Sequence, residues 1–162
     1  MVYPNGFLAD RMLGKLARYL RFLGHDVAFA PEGDDSLLLA RARAEGKTIL
    51  TRDRGLASRW PQGGESRVIL ISAEKAPEQL EELAGRGVLP PPGTPRCTHC
   101  NHPLESMPPT LARHLVFPYT ASTAETFHHC PSCNRMYWRG SHPDLFLQGP
   151  AKPIAGINYQ LR

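Results

Sequence analysis

The first half of the chain alternates between two hydrophobic patterns. Phe7-Leu8-Ala9, Asp26-Val27-Ala28-Phe29-Ala30, Lys47-Thr48-Ile49-Leu50-Thr51 and Arg67-Val68-Ile69-Leu70-Ile71-Ser72 are short, nearly continuous apolar runs. Runs of that length suit strands buried on both faces. Between them the apolar positions repeat at helical spacing. At an advance of about 100° per residue, Met12, Leu13, Leu16, Tyr19, Leu20 and Leu23 share one side of a helix. Arg11, Lys15, Arg18 and Arg21 fall on the other, with Phe22 among them, and Gly24 is placed for a left-handed stop. Ser36–Glu45 reads as a second helix ended by Gly46. After Arg52-Asp53-Arg54-Gly55 a short helical piece runs towards Trp60 and breaks at Pro61 and Gly63-Gly64, and Pro77 opens a helix through Leu83. Strands separated by helices predict an α/β fold: a parallel sheet with helices on both faces and right-handed crossovers. The run Val68–Ile71 is apolar enough to predict a central strand.

From Leu89 the pattern changes. Leu89-Pro90-Pro91-Pro92-Gly93-Thr94-Pro95 reads as a stiff, non-helical linker. The expected division is an α/β domain over 1–88, a Pro-rich linker over 89–96, a small module over 97–142 and a tail over 143–162 with no assigned fold. Val116-Phe117, Phe127 and Met136-Tyr137-Trp138 are the apolar residues available for the small module's core.

Charge sharpens this division. The 162 residues carry a formal net charge of +4. Residues 1–88 hold 13 Lys and Arg against 12 Asp and Glu, and residues 89–162 hold 6 against 3, with six of the seven His and all four Cys. The basic excess tilts towards an anionic partner. No apolar run is long enough to cross a bilayer and no charged-then-apolar leader opens the chain. A cytoplasmic protein is therefore expected, with no membrane role.

Acids recur where strands end. Asp10 follows the first predicted strand, Asp34-Asp35 the second and Asp53 the third. In a parallel sheet those positions share one edge. Each Asp also stands where a helix N-cap is expected. Capping accounts for any one of them better than for three at one edge together with Thr51-Arg52-Asp53. Carboxylates converging there repel unless a cation lies between them, and hard oxygen ligands select Mg²⁺ or Mn²⁺. A divalent ion so held suits hydrolysis at phosphorus. Arg11, Lys15, Arg18 and Arg52 are the candidates to hold a phosphate backbone, although a charged stripe is also the ordinary solvated side of a helix. Glu74, after the fourth strand, is a further acid that reads more simply as an exposed loop residue.

Cys97-Thr98-His99-Cys100-Asn101 and Cys130-Pro131-Ser132-Cys133-Asn134 form two Cys-x-x-Cys knuckles, each followed by an Asn that tolerates a left-handed turn. Two knuckles make a closed Cys₄ site, the pattern of a structural zinc ribbon. His99, His102, His128 and His129 lie nearby without being needed as ligands. Tyr137 and Trp138 are candidates either to pack beneath the metal or to stack bases.

Taken in order, Phe7 to Arg21, then Leu50-Thr51-Arg52-Asp53, then the two knuckles ending in Tyr137-Trp138-Arg139-Gly140-Ser141-His142, resemble the Mut-seven C-terminal RNase family. The resemblance implies a PIN-like nuclease domain fused to a zinc ribbon, and a metal-dependent ribonuclease acting on RNA. It carries catalytic, metal-holding roles to Asp10 and Asp53, and to Asp35 in preference to Asp34. No position matches a fourth acid. The alternative function is a non-catalytic RNA- or ribosome-binding adaptor braced by structural zinc.

Overall fold

A computed structural model describes residues 5–31, 33–59 and 67–139. The predicted break at Pro61 and Gly63-Gly64, His142 and the tail from Pro143 lie outside the described residues.

The first half is the expected parallel sheet. Strands β1 (Phe7–Ala9), β2 (Val27–Phe29), β3 (Thr48–Thr51) and β4 (Val68–Leu70) lie in the order β2-β1-β3-β4, all parallel. Helices α1 (Gly14–Phe22), α2 (Asp35–Glu45), α3 (Arg54–Arg59) and α4 (Ala76–Gly85) alternate with them. Side chains of successive strand residues point to opposite faces, so each strand feeds two cores. Phe7, Ala9 and Leu50 pack with Leu13, Leu16 and Leu20 of the first helical segment and with Leu80 and Leu83 of α4. Leu8 and Ile49 pack on the other face with Leu38 and Ala42 of α2 and Leu56 of α3.

Two expectations about these elements are corrected. The run at Val68–Leu70 forms an edge strand, not a central one, and only its middle residue, Ile69, is fully covered. Its apolarity serves one buried face and a half-covered border. The first helix does not start as an α-helix. Arg11–Leu13 is a 3₁₀ turn, and α1 begins at Gly14. The tighter 3₁₀ winding shifts the phase, so Met12 is exposed rather than sharing the core side with Leu13.

The second half contains an antiparallel sheet, β5 (Glu105–Met107), β6 (Thr126–His129) and β7 (Met136–Arg139), in the order β5-β6-β7. Two short helices, α5 (Pro109–Ala112) and α6 (Pro118–Thr123), lie between β5 and β6. Phe127 is buried among Ala112 and Ala124, with Met107, Val116 and Met136 against it. Leu104, Cys97 and Cys130 form a second cluster, against which Tyr137 packs. The expected entry of Phe117 and Trp138 into this core is not seen, Phe117 being 82% exposed; Ala112 of α5 and Ala124, just after α6, take that place.

The Pro-rich segment does not swing free of the sheet. Gly93 N–H donates to the Leu23 carbonyl at 3.0 Å, and Arg96 N–H to the Arg21 carbonyl at 2.8 Å. Gly24 is a forced glycine at this crossing. Its φ is +90°, and a Cβ there would sit 2.5 Å from the Gly93 carbonyl carbon.

Candidate functional site

In the order β2-β1-β3-β4, the chain steps from β1 out to β2 on one side and from β3 out to β4 on the other, so the direction of winding reverses between β1 and β3. Ligands of parallel α/β sheets bind outside the carboxyl ends of the strands at such a point. Asp10 is the first residue beyond β1. It is 7% exposed, and its backbone is fixed from both sides: its N–H donates to the Leu50 carbonyl, and its carbonyl accepts from Leu13 N–H. Asp10 Oδ1 accepts from Met12 N–H at 2.9 Å, which makes it the cap of the 3₁₀ turn. Asp10 Oδ2 accepts from the Thr51 hydroxyl in a close hydrogen bond.

Thr51 is wholly buried, and its Oγ1 also accepts from Asp53 N–H at 2.9 Å. One hydroxyl thus joins the acid after β1 to the acid after β3. Nothing in the local sequence pattern gives Thr51 this role. Ala9 pairs with Leu50 in the β1–β3 register, which sets Asp10 level with Thr51. That inference needs the strand order, which the sequence pattern alone does not supply.

The other acids divide their duties. Asp53 Oδ1 accepts from Leu56 N–H at 3.0 Å and caps the start of α3, while the residue remains exposed. Asp34 is the N-cap of α2, accepting from Ser36 N–H at 2.7 Å and Leu37 N–H at 3.3 Å. Asp35 makes no cap bond; its carboxylate pairs with Arg59 Nη2 at 2.5 Å. Nothing in the local sequence pattern points to Arg59 as a neighbour of these acids. Capping therefore describes what Asp10, Asp34 and Asp53 do. The acids stand at neighbouring strand ends without closing up. Among the described residues, the four cysteines are the one group of three or more His, Cys, Asp or Glu drawn close enough to hold an ion.

Basic side chains border the same edge. Arg11 is exposed and reaches over the β2–α2 loop: its Nη1 would be 2.7 Å from a Cβ on Gly33. Arg52 is half-buried, with Nη2 3.8 Å from Glu74 Oε1 and a buried Nε that has no partner among the described residues. Lys15 lines an open cavity of about 600 Å³ with Met12, Tyr19, Glu74, Lys75 and Pro77. Arg18 is exposed on α1. Arg21 departs from the stripe. It is 7% exposed, turned under the first cysteine knuckle. Burial lowers its pKa, opposed by the nearby Cys97 and Cys100.

The cysteine centre is closed and compact. One sulfur from each of Cys97, Cys100, Cys130 and Cys133 lies within 4.8 Å of every other. Cys97 and Cys133 Sγ are 3.6 Å apart, Cys100 and Cys130 Sγ 3.3 Å, and none is in a disulfide. Asn101 and Asn134 adopt φ values of +67° and +56°, the left-handed turns expected after each knuckle. Four unbridged thiol groups so placed fit a tetrahedral metal, consistent with structural zinc. The nearby His residues are outside this group. Tyr137 OH lies 3.0 Å from Cys97 Sγ, so Tyr137 packs against the centre. Burial would raise the Cys97 pKa, but hydrogen bonds from Tyr137 and from the Cys100 and His99 amides outweigh it and bring it to about 6. Burial pushes Cys130 up to about 12.

Both features fall within a single family match. The Mut7-C RNAse domain model matches residues 5–147, most of the chain. The chain belongs to the Mut7-C RNAse domain family. The Mut7-C match takes in the three strand ends with their acids and all four cysteines. It supports a ribonuclease-like chain with RNA as the substrate class. No curated protein and no solved structure matches the chain. Among the described residues, no helix is long and apolar enough to cross a membrane.

Proposed function

We propose that this chain is a Mg²⁺- or Mn²⁺-dependent ribonuclease with a PIN-like catalytic domain over 1–88, joined through 89–96 to a zinc-ribbon module over 97–142. The observation that carries the reading is the link from Asp10 through Thr51 to Asp53 at the point where strand order reverses. Asp10, Asp35 and Asp53 offer hard oxygen donors at adjacent strand ends and would hold the ion. When bound, it supplies Lewis acidity to a phosphate oxygen and acidity to a water.

The chain's own residues do the rest. The Thr51 hydroxyl and the Met12 amide both donate to Asp10, which holds its side chain in one orientation. Asp53 takes its position from its amide bond to Thr51 and its cap on α3. Arg11 and Arg52 flank this pair and receive the phosphate backbone. Lys15, joined by Lys75 across the open cavity, carries the strand away from the acids. Arg18 extends the path. Asp35, here paired with Arg59, would be the third oxygen donor to the ion. The four unbridged thiols suit a reducing compartment, and the cytoplasm is the location in this reading.

A second reading is a non-catalytic RNA- or ribosome-binding adaptor. It draws on the separation of the acids and on the Asp35–Arg59 pair. Labelled single-stranded and structured RNAs incubated with Mn²⁺ separate the two. The enzyme reading expects cleavage by the natural chain that is lost in Asp10→Asn and Asp53→Asn. RNA binding without cleavage by any of the three selects the adaptor.

A further inference from the structure

The knuckle Cys97–Cys100 docks on the amino-terminal end of the sheet, opposite the acids. Arg21, near the end of α1, donates Nη1 to the carbonyls of Thr98 at 2.9 Å and His99 at 3.2 Å, the two residues inside the knuckle. Its Nε donates to the Val27 carbonyl at 2.8 Å. Asn101 completes the contact from the knuckle side. Its Oδ1 accepts from Val27 N–H at 3.2 Å, and its Nδ2 donates to Asp26 Oδ1 at 2.7 Å. Asp26 Oδ2 accepts from Lys47 Nζ at 2.9 Å, just before β3.

These bonds converge on a vulnerable place. Among the described residues, β2 is an edge strand that pairs with β1 and with no other strand. An exposed edge leaves backbone groups unpaired and open to solvent. Here the first residue of β2 has its N–H taken by Asn101 and its carbonyl by Arg21. Both partners depend on the shape of the knuckle: Asn101 is its left-handed residue, and Arg21 is held by its carbonyls. A divalent ion held by four thiolates keeps a net negative charge, and the buried Arg21 guanidinium is the cation set beside Cys97 and Cys100.

We infer that metal loading of the cysteine centre closes the β2 edge of the α/β domain through Arg21 and Asn101, so that metal occupancy and the stability of that edge are one linked equilibrium. The linkage is reciprocal: whatever loosens Arg21 or Asn101 weakens metal retention. This holds whether or not the chain hydrolyses RNA, since the acids at the other end take no part.

Hydrogen exchange on the full chain tests it, with zinc loaded stoichiometrically, stripped by chelator, and restored. Removing zinc is expected to speed exchange of the Val27–Phe29 amides at least as clearly as those of the knuckle, while Leu80–Leu83 stay protected. Asn101→Gly keeps a residue suited to φ +67° and deletes both side-chain bonds. In this variant, which keeps only the Arg21 route, the effect of zinc on β2 exchange should shrink clearly, and zinc transfer to a chromogenic chelator should be about tenfold faster, as for loss of other outer-shell partners. Arg21→Gln should release zinc faster still, and Arg21→Lys should recover only part of the loss. A natural chain whose β2 exchange ignores zinc overturns the inference, and so does an Asn101→Gly chain that responds to zinc as fully as the natural one.

Discussion

Thr51 shows how one hydroxyl can set the geometry of two acids. It donates to Asp10 and accepts from the Asp53 amide, and it is wholly buried. Thr51→Val leaves a buried carboxylate oxygen and an amide without their partner. The expected cost is about 1–3 kcal/mol of stability, read by urea unfolding. RNA cleavage by Thr51→Val should fall about 10–100-fold in kcat, the usual penalty for losing an orienting partner, and Thr51→Ser should restore most of it. His25 carries a separate prediction. Burial lowers its pKa from 6.5 to about 4. The folded chain therefore keeps it neutral while the unfolded chain takes up the proton first. The His25 contribution to stability should be full above about pH 6.5, then fall as pH drops towards 4, by at most about 3 kcal/mol. His128, also lowered by burial, adds in the same direction. Thermal unfolding between pH 4 and 7 checks this, and His25→Leu should flatten the profile. At this scale the sequence showed the acids and the cysteines because residue type and spacing name their chemistry. Thr51, Arg59 and Arg21 stayed hidden, because their roles come from partners set by the strand order and by the docking of the second module.

Elements were more legible than the order in which they assemble. All four parallel strands and their helices appear where the apolar runs and helical spacing put them, because each burial pattern is written in local sequence. The phase of the first helix was not legible. A uniform winding from Arg11 places Met12 inside, whereas the 3₁₀ turn capped by Asp10 rotates it outward. The position of β4 was misread because apolarity reports burial, not rank in the sheet; Val68 and Leu70 are only half-covered at the edge. The α1–β2 corner carries a firm prediction of its own. Gly24→Ala would place a Cβ 2.5 Å from the Gly93 backbone and strain a φ of +90°. It should destabilise the chain by about 2 kcal/mol or more, within the range of backbone strain at such positions. Chemical denaturation measures this, and Gly85→Ala, where a Cβ meets nothing within 4 Å, is the control expected to be neutral or slightly stabilising.

The whole molecule has two ends with different chemistry. Oxygen donors stand at the carboxyl ends of the strands, and a sulfur centre is fastened at the amino end. The sequence divided the chain into these two chemistries but gave no sign of where the second module docks, since Arg21 and Asn101 find their partners about 75 residues away. The sulfur centre predicts a pH dependence. Burial pushes Cys130 up to about 12 and also raises Cys133, so zinc must displace their protons. Apparent zinc affinity should therefore rise with pH between 6 and 8, with protons released on loading, measured by calorimetry in buffers of different ionisation enthalpy. The oxygen end carries the central claim, that Asp10 and Asp53, linked by Thr51, hold a divalent ion. Its most direct test is a Mn²⁺ titration of the zinc-loaded chain followed by electron paramagnetic resonance. The expected result is a saturable site in the natural chain that is weakened at least about tenfold, in line with loss of a metal-site partner, in both Asp10→Asn and Asp53→Asn. Equal Mn²⁺ binding by the natural chain and the two folded variants would contradict it.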